Sequence, residues 1–254
     1  MCGRFREITM PGGVCVRDGW PLAILLDLDD TIVSLMEGAE PSWHEAAARF
    51  AGRVRGLSAE ELSRVLRASR NWFWTDAERN RRGRLDPGVA RRETVRHAFA
   101  ELELEDAALC DEIVDAVKDL HEAMMLPFPG AVEALRYLKA QGVRLALVTN
   151  GGAEEQRRKV DRNDLDQYFD LIVIEGEFGV GKPDPRIYTY ALDQLGVAPQ
   201  GAWMIGDHLE WEVRVPQRLG MYAIWVDFAG AGLPESSTVR PDRIIHSLRE
   251  LIED

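Results

Sequence analysis

Lysine is scarce in this chain: four among 254 residues, beside 27 arginines. A lysine that does fall inside a motif therefore carries weight. Cysteine is scarcer still. Cys2, Cys15 and Cys110 are an odd set without metal-ligand spacing, which predicts reduced thiols and a cytoplasmic setting. No apolar run approaches the ~20 residues of a membrane span, and residues 1–20 lack the apolar core of a signal peptide. Positive charge is in deficit, at a net charge of -12. That argues against general nucleic-acid binding, because a phosphate backbone needs a basic footprint. A small phosphorylated substrate remains open, since local fields outweigh the total. Internal repeats and low-complexity tracts are also absent. With 46% apolar and 29% charged residues, the chain can bury a full core, as one large domain or as a domain carrying an insertion.

Two patterns divide the chain. Strand-like segments at 22–28, 143–149, 171–175, 202–206 and 221–227 alternate with helical segments at 129–141, 152–161, 184–195 and 210–219. This alternation predicts an α/β fold, a parallel sheet with helices on both faces. Pro129 suits a first helical turn and Gly142 a helix stop. Between 33 and 126 the pattern holds no strand. Ser42 with Glu45 and Ser58 with Glu61 read as capping boxes. Trp43, Ala47, Phe50 and Val54 share one helical face, as do Leu62, Val65, Leu66 and Ser69. Further helices are expected over 89–103 and 107–125, the last with Leu109, Ile113, Val117, Leu120 and Met124 inward. The expected organisation is a loosely held extension at 1–20, a core of 21–32 with 127–254, and an inserted helical bundle at 33–126.

The chemistry concentrates where strands end. The run Leu22–Leu26 stops in Asp27-Leu28-Asp29-Asp30-Thr31, three carboxylates in four residues. Acids so close repel one another, and a bound cation relieves the repulsion. This pattern suits a nucleophilic Asp, a second Asp for proton transfer and a magnesium ion. The second strand ends in Thr149-Asn150-Gly151, where a hydroxyl and backbone N–H groups can hold phosphoryl oxygens. Gly181-Lys182-Pro183-Asp184-Pro185 offers a point positive charge on a stiffened turn. The strand Trp203–Gly206 ends in Asp207, which completes a carboxylate set for magnesium. Taken singly, each is also an ordinary turn or helix cap. Four of them in this order are not ordinary.

In these motifs the chain resembles the haloacid dehalogenase-like hydrolases, over about 22–254. The resemblance implies a Rossmann-like core with a C1-type helical cap inserted after the first strand. It further implies that Asp27 forms an aspartyl-phosphate, that Asp29 protonates the leaving group and then activates water, that Thr149 and Asn150 bind the phosphoryl group, and that Lys182 neutralises charge. Mg²⁺ would be held by Asp27, the Asp29 carbonyl and Asp207. Members that cleave carbon–halogen bonds lack the second acid, because halide leaves unprotonated. An alkoxide needs a proton, so Asp29 favours phosphate esters. Three positions depart from the family's usual pattern. Glu212 stands where Asp is frequent and is expected to support the site from behind the ligands. His208 replaces Ser or Thr, and Asp30 replaces a frequent Gly.

The expected function is Mg²⁺-dependent hydrolysis of a small phosphorylated metabolite. A phosphoglucomutase-like phosphotransferase and a non-catalytic phosphometabolite-binding protein are the alternatives. Residues 43–97 hold 13 arginines against 7 acids. Within them Trp72, Trp74, Arg79 and Arg82 are candidates for substrate contacts by stacking and phosphate binding. Core aromatics and a solvated arginine face account for the same stretch, and that reading is preferred for most of it.

Overall fold

The structure, a computed structural model, describes residues 7–9, 15–17 and 19–253. The rest of the expected N-terminal extension, with Cys2, lies outside the described residues. Strands β1 (Glu7–Thr9), β2 (Cys15–Arg17) and β3 (Trp20–Pro21) pair antiparallel in a small sheet. The chain then enters the main sheet through β4 (Ala23–Leu26).

The main sheet has six strands, all parallel. After β4 come β5 (Arg144–Thr149), β6 (Leu171–Ile174), β7 (Ala202–Gly206), β8 (Tyr222–Val226) and β9 (Arg243–Ile245), in the spatial order β6-β5-β4-β7-β8-β9. All four residues of β4 are fully buried, so both faces of the sheet are covered. Helices α6 (Ala131–Ala140), α7 (Ala153–Arg162), α8 (Glu175–Phe178), α9 (Pro185–Leu195) and α10 (Val215–Leu219) alternate with these strands. On one face Leu25, Val148 and Met204 join Ile187, Tyr188 and Leu192 of α9 in a continuous core. Because β4 lies between β5 and β7, the strand order reverses there. A parallel sheet opens its ligand crevice at such a point, outside the carboxyl ends.

The chain separates into two compact units, 1–34 with 127–254 and 35–126. The second unit is helical: α1 (Met36–Phe50), α2 (Ala59–Thr75), α3 (Ala77–Leu85), α4 (Pro87–Glu101) and α5 (Ala107–Met124). Its core joins Ala47, Leu62, Leu66, Val95, Phe99, Leu109, Ile113 and Val117. No helix among the described residues is long and apolar enough to cross a membrane.

Several local expectations differ from the structure for identifiable reasons. The Ser58–Glu61 capping box is present, with Ser58 N–H donating to Glu61 at 2.8 Å and Glu61 N–H to Ser58 Oγ at 3.3 Å. The Ser42–Glu45 box is not. Helix α1 begins at Met36 and runs through Pro41, and Ser42 donates back to the Ala39 carbonyl at 2.8 Å. Helix α3 has no apolar stripe to announce it. Asp76 starts it by accepting Arg79 N–H at 2.8 Å. Pro129 falls before α6, whose N-cap is Gly130 at φ +83°. The helix expected at 210–219 is a wide π turn at Leu209–Arg214 followed by α10. Pro216 has no N–H to give the Glu212 carbonyl, so the regular ladder cannot pass through it. Strand β9 is three residues long and too short to show periodicity.

Candidate active site

Asp27 is the first residue beyond β4, and its N–H donates to the Ile205 carbonyl of β7 at 3.0 Å. The chain then curls tightly. The N–H groups of Ile32 and Val33 both reach the Leu28 carbonyl at 2.9 Å, and Asp30 adopts φ +54°. Glycine takes that left-handed conformation most easily, and Asp is among the few other residues that tolerate it. The curl leaves Asp27 6% exposed at the crevice floor.

Lys182 is 4% exposed and bridges two acids. Its Nζ donates to Asp27 Oδ1 at 2.5 Å and pairs with Glu212 Oε1 at 2.7 Å. Glu212 is fully buried, projects from the π turn, and accepts His208 N–H at 2.8 Å. It therefore supports the lysine from behind. The His208 ring stacks on Trp211 at 4.1 Å, and its Nδ1 accepts the Glu210 and Trp211 N–H groups, so it caps this turn. Asn150 locks the loop after β5 to the lysine loop: its Nδ2 donates to the Lys182 carbonyl and its Oδ1 accepts Lys182 N–H, both at 2.7 Å. The Asn150 side chain is thus committed to placing Lys182. The Gly151 N–H, expected to be open to an anion, donates to Glu175 at 3.0 Å. Thr149, 1% exposed, ends β5 beside β4.

Asp207 follows β7 and its carbonyl accepts Trp225 Nε1 at 2.6 Å. Burial, then Asp27, Glu212 and Asp30, push its carboxyl up to about 8. Burial raises Asp27 as well, against the pull of Lys182, and Asp29 adds to the rise. Glu212 is raised to about 7 by burial and by Asp27, against the pull of Lys182. Lys182 is held charged: burial opposes its proton, but Asp27 and Glu212 outweigh burial. Asp27 and Glu212 thus share one buried lysine, with Asp207 and the buried Asp30 close by, an excess of negative charge that a small hard cation would offset. Among the described residues no three His, Cys, Asp or Glu side chains form a ready metal cage. Two carboxylates and a main-chain carbonyl suit an ion that keeps waters and substrate oxygens as its other ligands.

Two buried side chains near Asp29 escaped the motif reading. Lys159 Nζ lies 2.8 and 2.9 Å from the two Asp29 oxygens. Gln156 Nε2 donates to Asp29 Oδ2 at 3.0 Å and to Thr149 Oγ1 at 2.6 Å. One signal was in the sequence: Lys159 is one of only four lysines and stands beside the inward Val160 of a helix that opens just after Thr149-Asn150-Gly151.

The candidates in the helical unit are largely engaged with its own residues. The Trp72 ring stacks on His97 at 3.9 Å and carries the Arg79 guanidinium at 3.9 Å. Arg79 Nη2 also donates to the Trp72 carbonyl at 2.6 Å. Arg82 forks onto Glu93 at 2.6 and 3.2 Å. Trp74, 40% exposed, packs edge-on against Phe73 at 5.1 Å.

Residues 21–220 match the model of a hydrolase family described as haloacid dehalogenase-like hydrolase. The chain belongs to that family. This haloacid dehalogenase-like hydrolase is 30% identical over 248 residues to the glyceraldehyde 3-phosphate phosphatase of Methanopyrus kandleri, a match covering 91% of this chain and 99% of the relative. It is 42% identical over 125 residues to the phosphoserine phosphatase of Thermus thermophilus, spanning 49% of each chain. The crystal structure of the 2-haloacid dehalogenase of Pseudomonas syringae is similar at a TM-score of 0.61 and 26% identity, covering 91% of this chain and 96% of that one. A phosphatase structure from Thermococcus onnurineus shares the fold at a TM-score of 0.56 and 23% identity, covering 91% and 96%. The chain is accordingly a hydrolase of the haloacid dehalogenase-like superfamily, with phosphatases among its relatives.

Proposed function

We propose that this hydrolase cleaves a small phosphate monoester through an aspartyl-phosphate on Asp27, with Mg²⁺ as cofactor. One observation carries the reading: Asp27 is buried at the reversal point of the sheet and paired with a buried lysine, while a second acid, Asp29, stands two residues on. A carboxylate attacking a phosphate dianion meets like-charge repulsion, and Lys182 lies where it offsets that repulsion.

In this reading an Asp27 oxygen attacks phosphorus as the bond from phosphorus to the ester oxygen breaks. Asp29 gives its proton to the departing alkoxide. Asp29 then takes a proton from water, and the water oxygen attacks phosphorus, releasing inorganic phosphate and the Asp27 carboxylate. Thr149 Oγ1 and the backbone N–H groups after β5 other than that of Gly151, which Glu175 takes, hold phosphoryl oxygens. Asp27, the Asp29 carbonyl and Asp207 would hold Mg²⁺, which when bound supplies positive charge to the phosphoryl oxygens. The inserted helical unit is read as a C1-type cap that sets leaving-group preference. Trp74 is its most available aromatic contact, because Trp72, Arg79 and Arg82 are tied up as described. The relatives' phosphorylated substrates favour a small metabolite, and the cysteine usage favours a cytoplasmic setting.

The test is a phosphate-release screen over phosphorylated metabolites with Mg²⁺, run beside Asp27→Asn. Release from at least one small ester by the wild type, and none by the variant, is expected. Equal release by the purified variant overturns the assignment of Asp27.

A further inference from the structure

Helix α7 presents to Asp29 two polar side chains to which the reaction above gives no part. Gln156 and Lys159 are three residues apart and so share one helical face. They are 1% and 5% exposed. Lys159 Nζ reaches both Asp29 oxygens, at 2.8 and 2.9 Å. Gln156 Nε2 faces three acceptors: Asp29 Oδ2 at 3.0 Å, Thr149 Oγ1 at 2.6 Å and the Asn150 carbonyl at 2.8 Å. Its Oε1 is buried with no hydrogen-bond partner among the described residues. Burying an ammonium and an amide with an unmet acceptor disfavours the fold, whereas apolar side chains such as the adjacent Val160 would not. Packing alone therefore does not account for the pair. Its contacts do single out two side chains, Asp29 and Thr149, that must stay in register if one serves the leaving group and the other the phosphoryl group.

We propose that Gln156 and Lys159 are positioning residues, a clamp on α7 that holds the Asp29 carboxylate in register with Thr149. This rests on the reading of Asp29 as the group that relays the proton: both of its oxygens accept hydrogen bonds here, so the clamp as seen holds the carboxylate before it takes up the proton it later gives. A carboxylate torsion is broad when free. Here the ammonium engages both oxygens and the amide one of them, which fixes the plane of the carboxylate. The same amide ties that plane to the Thr149 hydroxyl. Correct orientation of a reacting group is a large part of catalysis, and loosening it slows only the step that uses that group.

Leaving-group dependence tests this, because a merely structural role does not discriminate between esters. The value of kcat/KM is measured with Mg²⁺ for 4-nitrophenyl phosphate, phenyl phosphate and glycerol 3-phosphate. Nitrophenolate departs without a proton, whereas an alkoxide needs one. Lys159→Met should lose about 10–100-fold on glycerol 3-phosphate, a fraction of the roughly 10²–10⁴-fold typical of general acid catalysis, and less than about threefold on 4-nitrophenyl phosphate, whereas Gln156→Leu, which also frees Thr149, should lose on both esters and more on glycerol 3-phosphate. Lys159→Arg, which keeps the charge, should recover part of the loss. Thermal unfolding verifies that each variant folds, and if Lys159→Met does not, Gln156→Leu and Lys159→Arg carry the same comparison. Asp29→Asn is the reference and should show the steepest dependence. A steep Asp29→Asn profile with a uniform loss over all three esters in the clamp variants overturns the clamp alone. A flat Asp29→Asn profile overturns the reading of Asp29, and the clamp with it.

Discussion

Lys182→Met is the most informative single substitution for stability. The side chain keeps its length and loses its charge. In the native protein one ammonium serves two acids, Asp27 at 2.5 Å and Glu212 at 2.7 Å, and all three side chains are buried. Removing one partner of a buried ion pair leaves an uncompensated charge, at a cost of about 3–5 kcal/mol. Here two carboxylates are stranded, so the upper end applies. For a chain of this size each kcal/mol moves Tm by about 2–4 °C, which at about 5 kcal/mol gives a fall of about 10–20 °C. The assay is thermal unfolding at pH 7.5 in EDTA, followed by tryptophan fluorescence. The deficit should shrink at pH 5.5. A carboxyl whose folded pKa is raised contributes stability that is present at low pH and lost as pH rises through the folded value. Glu212 is already raised to about 7 with the lysine in place, so without it both acids take up protons more readily. Glu212→Gln should rescue part of the variant's loss. A fall below about 1 kcal/mol, or a deficit that does not shrink at pH 5.5, refutes the view that the lysine compensates two buried charges.

Three further outcomes follow from the same geometry. Asp27→Asn should abolish phosphate release with Tm unchanged or higher, because one of the crowded acids is removed; a marked drop in Tm would show that the acid holds the fold together. In EDTA the wild-type Tm should fall as pH rises from about 4 towards 8, the window between the ordinary Asp pKa and the Asp207 value of about 8, and Mg²⁺ should restore it at pH 8; a Tm indifferent to Mg²⁺ at pH 8 would argue against a cation at this cluster. Ser58→Ala should cost about 1 kcal/mol in urea unfolding by removing the cap of α2, whereas Ser42→Ala, which removes no cap, should cost about 0.5 kcal/mol or less; equal losses would contradict the assigned start of α1.

The amino-acid sequence alone determined the strand-to-polar transitions at Asp27, Thr149 and Asp207, because a fully buried parallel strand reads as an apolar run and its carboxyl end as an abrupt change to polar residues. It also determined the helical character of 33–126, since amphipathic faces such as Leu62–Leu66 repeat within a turn or two. Local signals misled where two rules competed. Ser42 after Pro41 looks like a helix start, yet α1 passes through both. Only the tertiary structure decided which of the nearby polar groups meet. Asn150 turned out to face Lys182, Glu175 to take the Gly151 N–H, and Lys159 with Gln156 to enclose Asp29. These partners lie 24 to 130 residues apart in sequence, and no periodicity carries information across that span. Strand order brings them together: β5 and β7 flank β4, and burial then requires each polar group to find whichever partner the packing leaves within reach.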